Sequence, residues 1–225
     1  AFKLLCRMSH RNGHEDEFLL IGNKLIEYDF ARGAPELSSE YLRYFSTALE
    51  TKRSESQAAC ANWLNIQNRY ADTFMVSDDT DVVLKILKPA IEYIENQYPQ
   101  IENNELKTAL IKASHLVAEA LRLAIEKAQK GTPEANHITQ LQADYSKASN
   151  QFKALQSTET SSSTNTLRLI GLEIYQLPEI LDDMTAIGTR EQQIDNYFRQ
   201  INALTINEKQ ATTLEIIEFE KAKLL

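Results

Sequence analysis

From Asn104 to Gln156 the apolar positions recur at alternating steps of four and three, a rhythm that predicts two long helices. Leu106, Leu110, Ala113, Val117, Ala120 and Ala124 form the seam of the first, and Ile138, Leu141, Tyr145, Ala148, Phe152 and Leu155 that of the second. Gly131-Thr132-Pro133 lies between them: a glycine suited to a left-handed stop, an N-cap hydroxyl, and a proline at a first helical position. So short a link predicts an antiparallel hairpin, and the chain reads as mostly α, a multi-helix bundle built on that hairpin.

The flanking stretches follow the same period with different punctuation. Leu42, Phe45, Ala48 and Leu49 share a face in a helix that follows Ser38. Ser54 and Gln57 have the spacing of a capping box ahead of Ala58, Ala61, Trp63, Leu64 and Ile66. Ser77-Asp78-Asp79-Thr80 opens a further helix, with acidic groups where the helix dipole favours them. Pro89 falls inside that helix, where a kink is expected, and Pro99 ends it. Beyond the hairpin, 157–166 is rich in Ser and Thr and reads as a linker. Pro178 starts a short helix that Gly188 ends, and Thr189 with Gln192 opens another, carrying Ile194, Tyr197, Phe198, Ile201 and Leu204. Thr205 and Glu208 open the last.

Residues before 37 have a different rhythm. Phe2 to Met8 suits either a strand or the last turns of a helix, and Ser9 to Asp16 reads as a loop around Asn12-Gly13. Phe18-Leu19-Leu20-Ile21, then Gly22-Asn23, then Lys24 to Phe30 has the form of a β-hairpin with a two-residue turn. These divisions give an N-terminal segment 1–36 at the end of a larger upstream domain, a helical bundle 37–156, the linker 157–166 and C-terminal helices 167–225. Opening on Ala1-Phe2-Lys3-Leu4-Leu5-Cys6, the sequence reads as an excised piece of something longer.

Composition narrows the partners. The 225 residues carry a net charge of −8, which repels phosphate backbones, so nucleic acid is not the default partner. No apolar run approaches the roughly 18 residues of a bilayer span. Cys6 and Cys60 are too few for a disulfide framework and suit a reducing compartment.

One stretch carries candidate chemistry. His10-Arg11-Asn12, Glu17, and a predicted hairpin ending in Asp29-Phe30 resemble the catalytic loop and metal-binding turn of the protein-kinase-like fold. Phosphoryl transfer needs oxygen ligands for magnesium and a carboxylate to receive the hydroxyl proton. The resemblance implies Mg and ATP as cofactors, with Asp29 and Glu17 as metal and nucleotide ligands and Asn12 at the catalytic position. An amide is no base, so this would be an altered member or a pseudokinase, and no glycine-rich loop or nucleotide-pairing lysine is present in this chain. His10 and His14, four apart beside Glu15, Asp16 and Glu17, have zinc-site spacing only on a helix, which Asn12-Gly13 opposes. His115 and His137 stand alone. The tail from Leu214 to Leu225, rich in Glu and apolar at its end, resembles those of bacterial effectors exported by type IV secretion, and it also suits a packed terminal helix.

Two function classes follow. In the first, the chain is a helical protein–protein interaction or scaffold module, part of a secreted bacterial effector, cytoplasmic or delivered to a host cytosol. It binds a protein partner, and its heptad seams also permit a dimer. In the second, it is the C-terminal lobe of a kinase-like phosphotransferase.

Overall fold

The computed structural model describes residues 22, 24–26, 28, 29, 31, 32, 34, 38–130, 135–156, 163–175 and 184–203. They are mostly helical, and no strand occurs among them. The helices are α1 (Ser39–Glu50), α2 (Gln57–Val76), α3 (Thr80–Gln97), α4 (Asn104–Lys130), α5 (Ala135–Gln156), α6 (Ser163–Tyr175) and α7 (Met184–Ala203). The chain divides into two compact units, Ala1–Tyr145 and Ser146–Leu225.

In the first unit α2 is the helix with the most neighbours, lying against α1, α3 and α4. Cys60, Ala61, Trp63, Leu64, Ile66, Gln67, Asn68, Ala71 and Thr73 are all buried along it. Burial on several sides leaves no single apolar stripe, which is why its periodicity is weak in the sequence. The predicted seam of α4 is buried from Leu106 to Ala120, but so are Ile111, Ser114, Leu121 and Ile125. Ala109, Ala113, Ala118 and Ala120 are small enough for two helices to close on α4. Among the described residues those two are α2 and α3. The frame is therefore α2–α3–α4, and the expected α4–α5 seam is not its centre. Pro89 sits on the exposed side of α3, and the helix runs through it.

The cap of α2 also differs from expectation. Ser56, not Ser54, holds the N-cap position, its Oγ accepting from the Ala59 N–H at 3.1 Å. Gln57 reaches across to the α3–α4 connection instead. Its Nε2 donates to the Gln100 carbonyl at 2.8 Å, and its Oε1 accepts from the N–H groups of Glu102 and Asn103, both at 2.9 Å.

The predicted β-hairpin is not supported: its first run, 18–21, lies outside the described residues, and no strand occurs in the described part of the second. Gly22, Lys24, Leu25, Ile26, Tyr28, Asp29 and Ala31 are helical. Gly22, Leu25, Ile26 and Asp29 are the buried ones, a three–four spacing that fits a helix and not the alternation of a strand. Leu25 and Ile26 form one apolar cluster with Tyr41, Leu42, Phe45 and Ile66. Gly22 is required by a close approach and not by a turn: a Cβ there would stand 1.7 Å from Phe45 Cζ.

The second unit has its own core, in which Leu167, Ile170 and Ile174 of α6 meet Ile194 and Ile201 of α7, flanked by Tyr197 and Phe198. Residues 163–166 of the Ser/Thr-rich stretch already belong to α6, and α7 runs through Gly188 and Thr189 where a break was expected. The helix predicted from Thr205 lies outside the described residues.

Candidate functional site

Of the residues singled out for chemistry, Asn12, Glu17, His10 and His14 lie outside the described residues, and Asp29 lies within them. Asp29 is on the inner face of the 22–31 segment and only 2% exposed. Ser38 Oγ donates to its Oδ2 at 3.1 Å, and the Arg32 guanidinium stands 3.3 Å from Oδ1. Ser38 occupies the N-cap position of α1 yet makes no side-chain cap bond, because its hydroxyl is turned to Asp29. The Ala34 N–H donates to the Asp29 carbonyl at 2.9 Å. Both carboxylate oxygens are thus engaged by the chain itself, and the group ties the 22–31 segment to the start of α1.

The 22–31 segment and α1 each expose a tyrosine beside an arginine. Arg32 lies over the Tyr28 ring at 5.2 Å and Arg43 over the Tyr44 ring at 5.8 Å. Tyr28 is 61% exposed and Tyr44 41%. Tyrosine with arginine offers a large rigid apolar face, a hydroxyl and a planar cation, the residue types enriched where proteins bind one another. Helical spacing alone does not set Tyr44 apart from the core aromatics Tyr41 and Phe45. Its exposure comes from standing beside the buried Tyr41, Leu42 and Phe45, not among them.

A second cluster joins the ends of three helices. Arg53, in the turn between α1 and α2, places its guanidinium carbon 3.9 Å from the Tyr93 ring centre and 4.7 Å from that of Trp63. The two rings meet edge to face at 5.8 Å. Tyr98 donates its hydroxyl hydrogen to the Arg53 carbonyl at 2.9 Å, and Glu50 pairs with the guanidinium at 3.0 Å. Cys60 is fully buried, and burial pushes its thiol up to about 11, with the Arg53 charge opposing. Nothing in the local sequence marks Arg53 as a ring-stacking cation, since its two aromatic partners lie 10 and 40 residues away.

An open cleft of about 470 Å³ lies among the start of α3, the end of α4 and the start of α5, with Asp78, Asp79, Asp81, Lys127 and His137 on its walls and Leu84 and Leu141 among its apolar lining. Lys127 bridges Asp78, with Nζ 3.0 Å from Oδ2 and a further bond to the carbonyl. His115 is half-buried on α4. Among the described residues no group of His, Cys, Asp and Glu is arranged to hold a metal ion, and no helix is long and apolar enough to cross a membrane.

Comparison with family models, with curated proteins and with solved structures returns no match. The functional reading therefore rests on the residues and geometry above.

Proposed function

We propose that the chain is a helical interaction module that binds a protein partner through the exposed Tyr–Arg face of its N-terminal layer. The observation that carries this reading is the pair of exposed tyrosines, Tyr28 and Tyr44, each held in place by a neighbouring arginine. An exposed aromatic fixed by a cation has already lost side-chain freedom, so less ordering is needed on binding. The buried layer beneath, with Ile26, Leu42 and Phe45 fully enclosed, gives the face a rigid support.

The test uses the whole chain as bait and compares it with the Tyr28→Ala, Tyr44→Ala double variant. Partner retention should fall at least tenfold while the helical circular dichroism is unchanged, since an interface anchor contributes about 2 kcal/mol or more. Binding that survives both changes would assign the partner to another surface. A titration with Mg–ATP separates the phosphotransfer reading: nucleotide binding abolished by Asp29→Ala, in a variant that stays folded, would favour that reading over the interaction module.

A further inference from the structure

We propose that Arg53 is a latch: it closes the α1–α2 turn over Trp63 and Tyr93 and controls a local opening through which Trp63 and Cys60 reach solvent. The closed position is held by contacts that are individually modest and all centred on one residue. They are the two ring faces, the Glu50 carboxylate, and the Tyr98 hydroxyl on the Arg53 carbonyl. Beneath them is an opposing term. Trp63 is 3% exposed and its indole N–H has no acceptor, so opening would return to it a water hydrogen bond that closure removes.

The geometry also fixes what opens. The Cys60 N–H donates to the Ser56 carbonyl at 3.0 Å, so Cys60 lies in the first turn of α2, directly after the 51–55 turn that carries Arg53. First turns open more readily than helix interiors; this one is held by the Ser56 cap and by the bonds of Gln57 to the α3–α4 connection, and the latch adds to those ties on the side of the 51–55 turn. Lifting Arg53 removes the cover from Trp63, one turn further along, and leaves the first turn of α2 held only by the Ser56 cap and the Gln57 bonds. The element thus has two positions, set by a few contacts around a buried donor that water would satisfy.

Labelling of Cys60 by a thiol reagent under native conditions reads this opening, in the full chain carrying Cys6→Ser. Arg53→Met keeps the stem and removes the cation, and should raise the Cys60 rate about tenfold, the factor that matches a partly desolvated cation–π contact. Tyr93→Leu, which leaves Arg53 the Trp63 face and the Glu50 carboxylate, should raise it less, and the double variant should fall short of the product of the two single effects, because the Arg53–Tyr93 contact is lost in both. In the unsubstituted latch the rate should rise only weakly with urea, as local openings do. A rate unmoved by Arg53→Met, or effects that multiply in the double variant, would overturn the proposal. So would a rate in the unsubstituted latch that climbs with urea as steeply as global unfolding, a measurement that decides the matter even where a variant does not fold.

Discussion

The two cores of the chain are built on different principles. In the first unit, α2 lies against three other helices and α4 against two, and polar side chains buried along α2 bond across to α1 and α4. In the second, Leu167, Ile170 and Ile174 of α6 meet Ile194 and Ile201 of α7 in a smaller apolar cluster flanked by half-buried aromatics, and a polar tie runs along it: Lys153 donates to Glu173 at 2.5 Å, and Glu173 in turn bonds the Tyr197 hydroxyl. A side chain enclosed on all sides has nothing that can move into its place, whereas a small cluster bordered by half-buried Tyr197 and Phe198 can partly close over a loss. The contrast teaches where the chain tolerates change.

The largest effect follows from truncation. Leu110→Ala should destabilise the first unit by about 3–5 kcal/mol, and Ile194→Ala the second by about 2 kcal/mol, the lower end of the range for such cavities. Urea unfolding followed by amide exchange resolves the two, and equal losses would break the contrast. Glycine positions sharpen it next. Gly22→Ala drives a methyl into the enclosed Phe45 ring and should cost about 1–3 kcal/mol. At Gly171 and Gly188 nothing lies within 4 Å of an added Cβ, and alanine there should stabilise by roughly 0.5–1 kcal/mol.

Alkaline titration distinguishes the units by order of failure. Burial, then the Glu173 carboxylate beside it and its hydrogen bond, push Tyr197 up to about 12, while Cys60 is raised to about 11. In both cases the fold holds the proton more tightly than the unfolded chain does. The stabilisation is therefore complete below the ordinary value, 9 for the thiol and 10 for the phenol, and is lost as pH climbs through the raised one. Trp63 fluorescence should report weakening of the first unit at lower pH than Tyr197 ionisation reports in the second. Cys60→Ala should delay the former alone. The smallest effect is expected of Lys153→Ala, since the lysine is largely exposed: less than about 1 kcal/mol by thermal melting.

How much of this was legible depends on what each residue meets. The limits of α4 and α5 were, because Gly131-Thr132-Pro133 is local punctuation and both helices stop and start around it. The 22–31 segment was not: Gly22-Asn23 between apolar runs has the form of a hairpin turn, and the inner helical face carries a glycine and an aspartate where a periodic reading looks for apolar side chains. Asp29 stands out in the sequence for its chemistry, and its neighbour Arg32 is close in sequence, but the Ser38 hydroxyl comes to it only through the packing of α1. Arg53 had no signal at all, since a cation between two rings is made by the meeting of three elements. Gly188 shows the reverse error, a conformationally permissive residue read as a stop where the helix simply continues.

The polar side chains buried along α2 have a consequence for alignment. Asn68 Nδ2 donates to the Ala109 carbonyl of α4 at 2.8 Å, while the adjacent Gln67 donates to Ser46 Oγ of α1. Apolar faces alone discriminate poorly between a helix and the same helix slid along its axis by one turn, about 5.4 Å. Such a slide would strip both amides of their acceptors at once, in surroundings where each unmet group costs about 1–3 kcal/mol. Two consecutive residues thus key α2 to two different neighbours, and neither alignment can slip without the other.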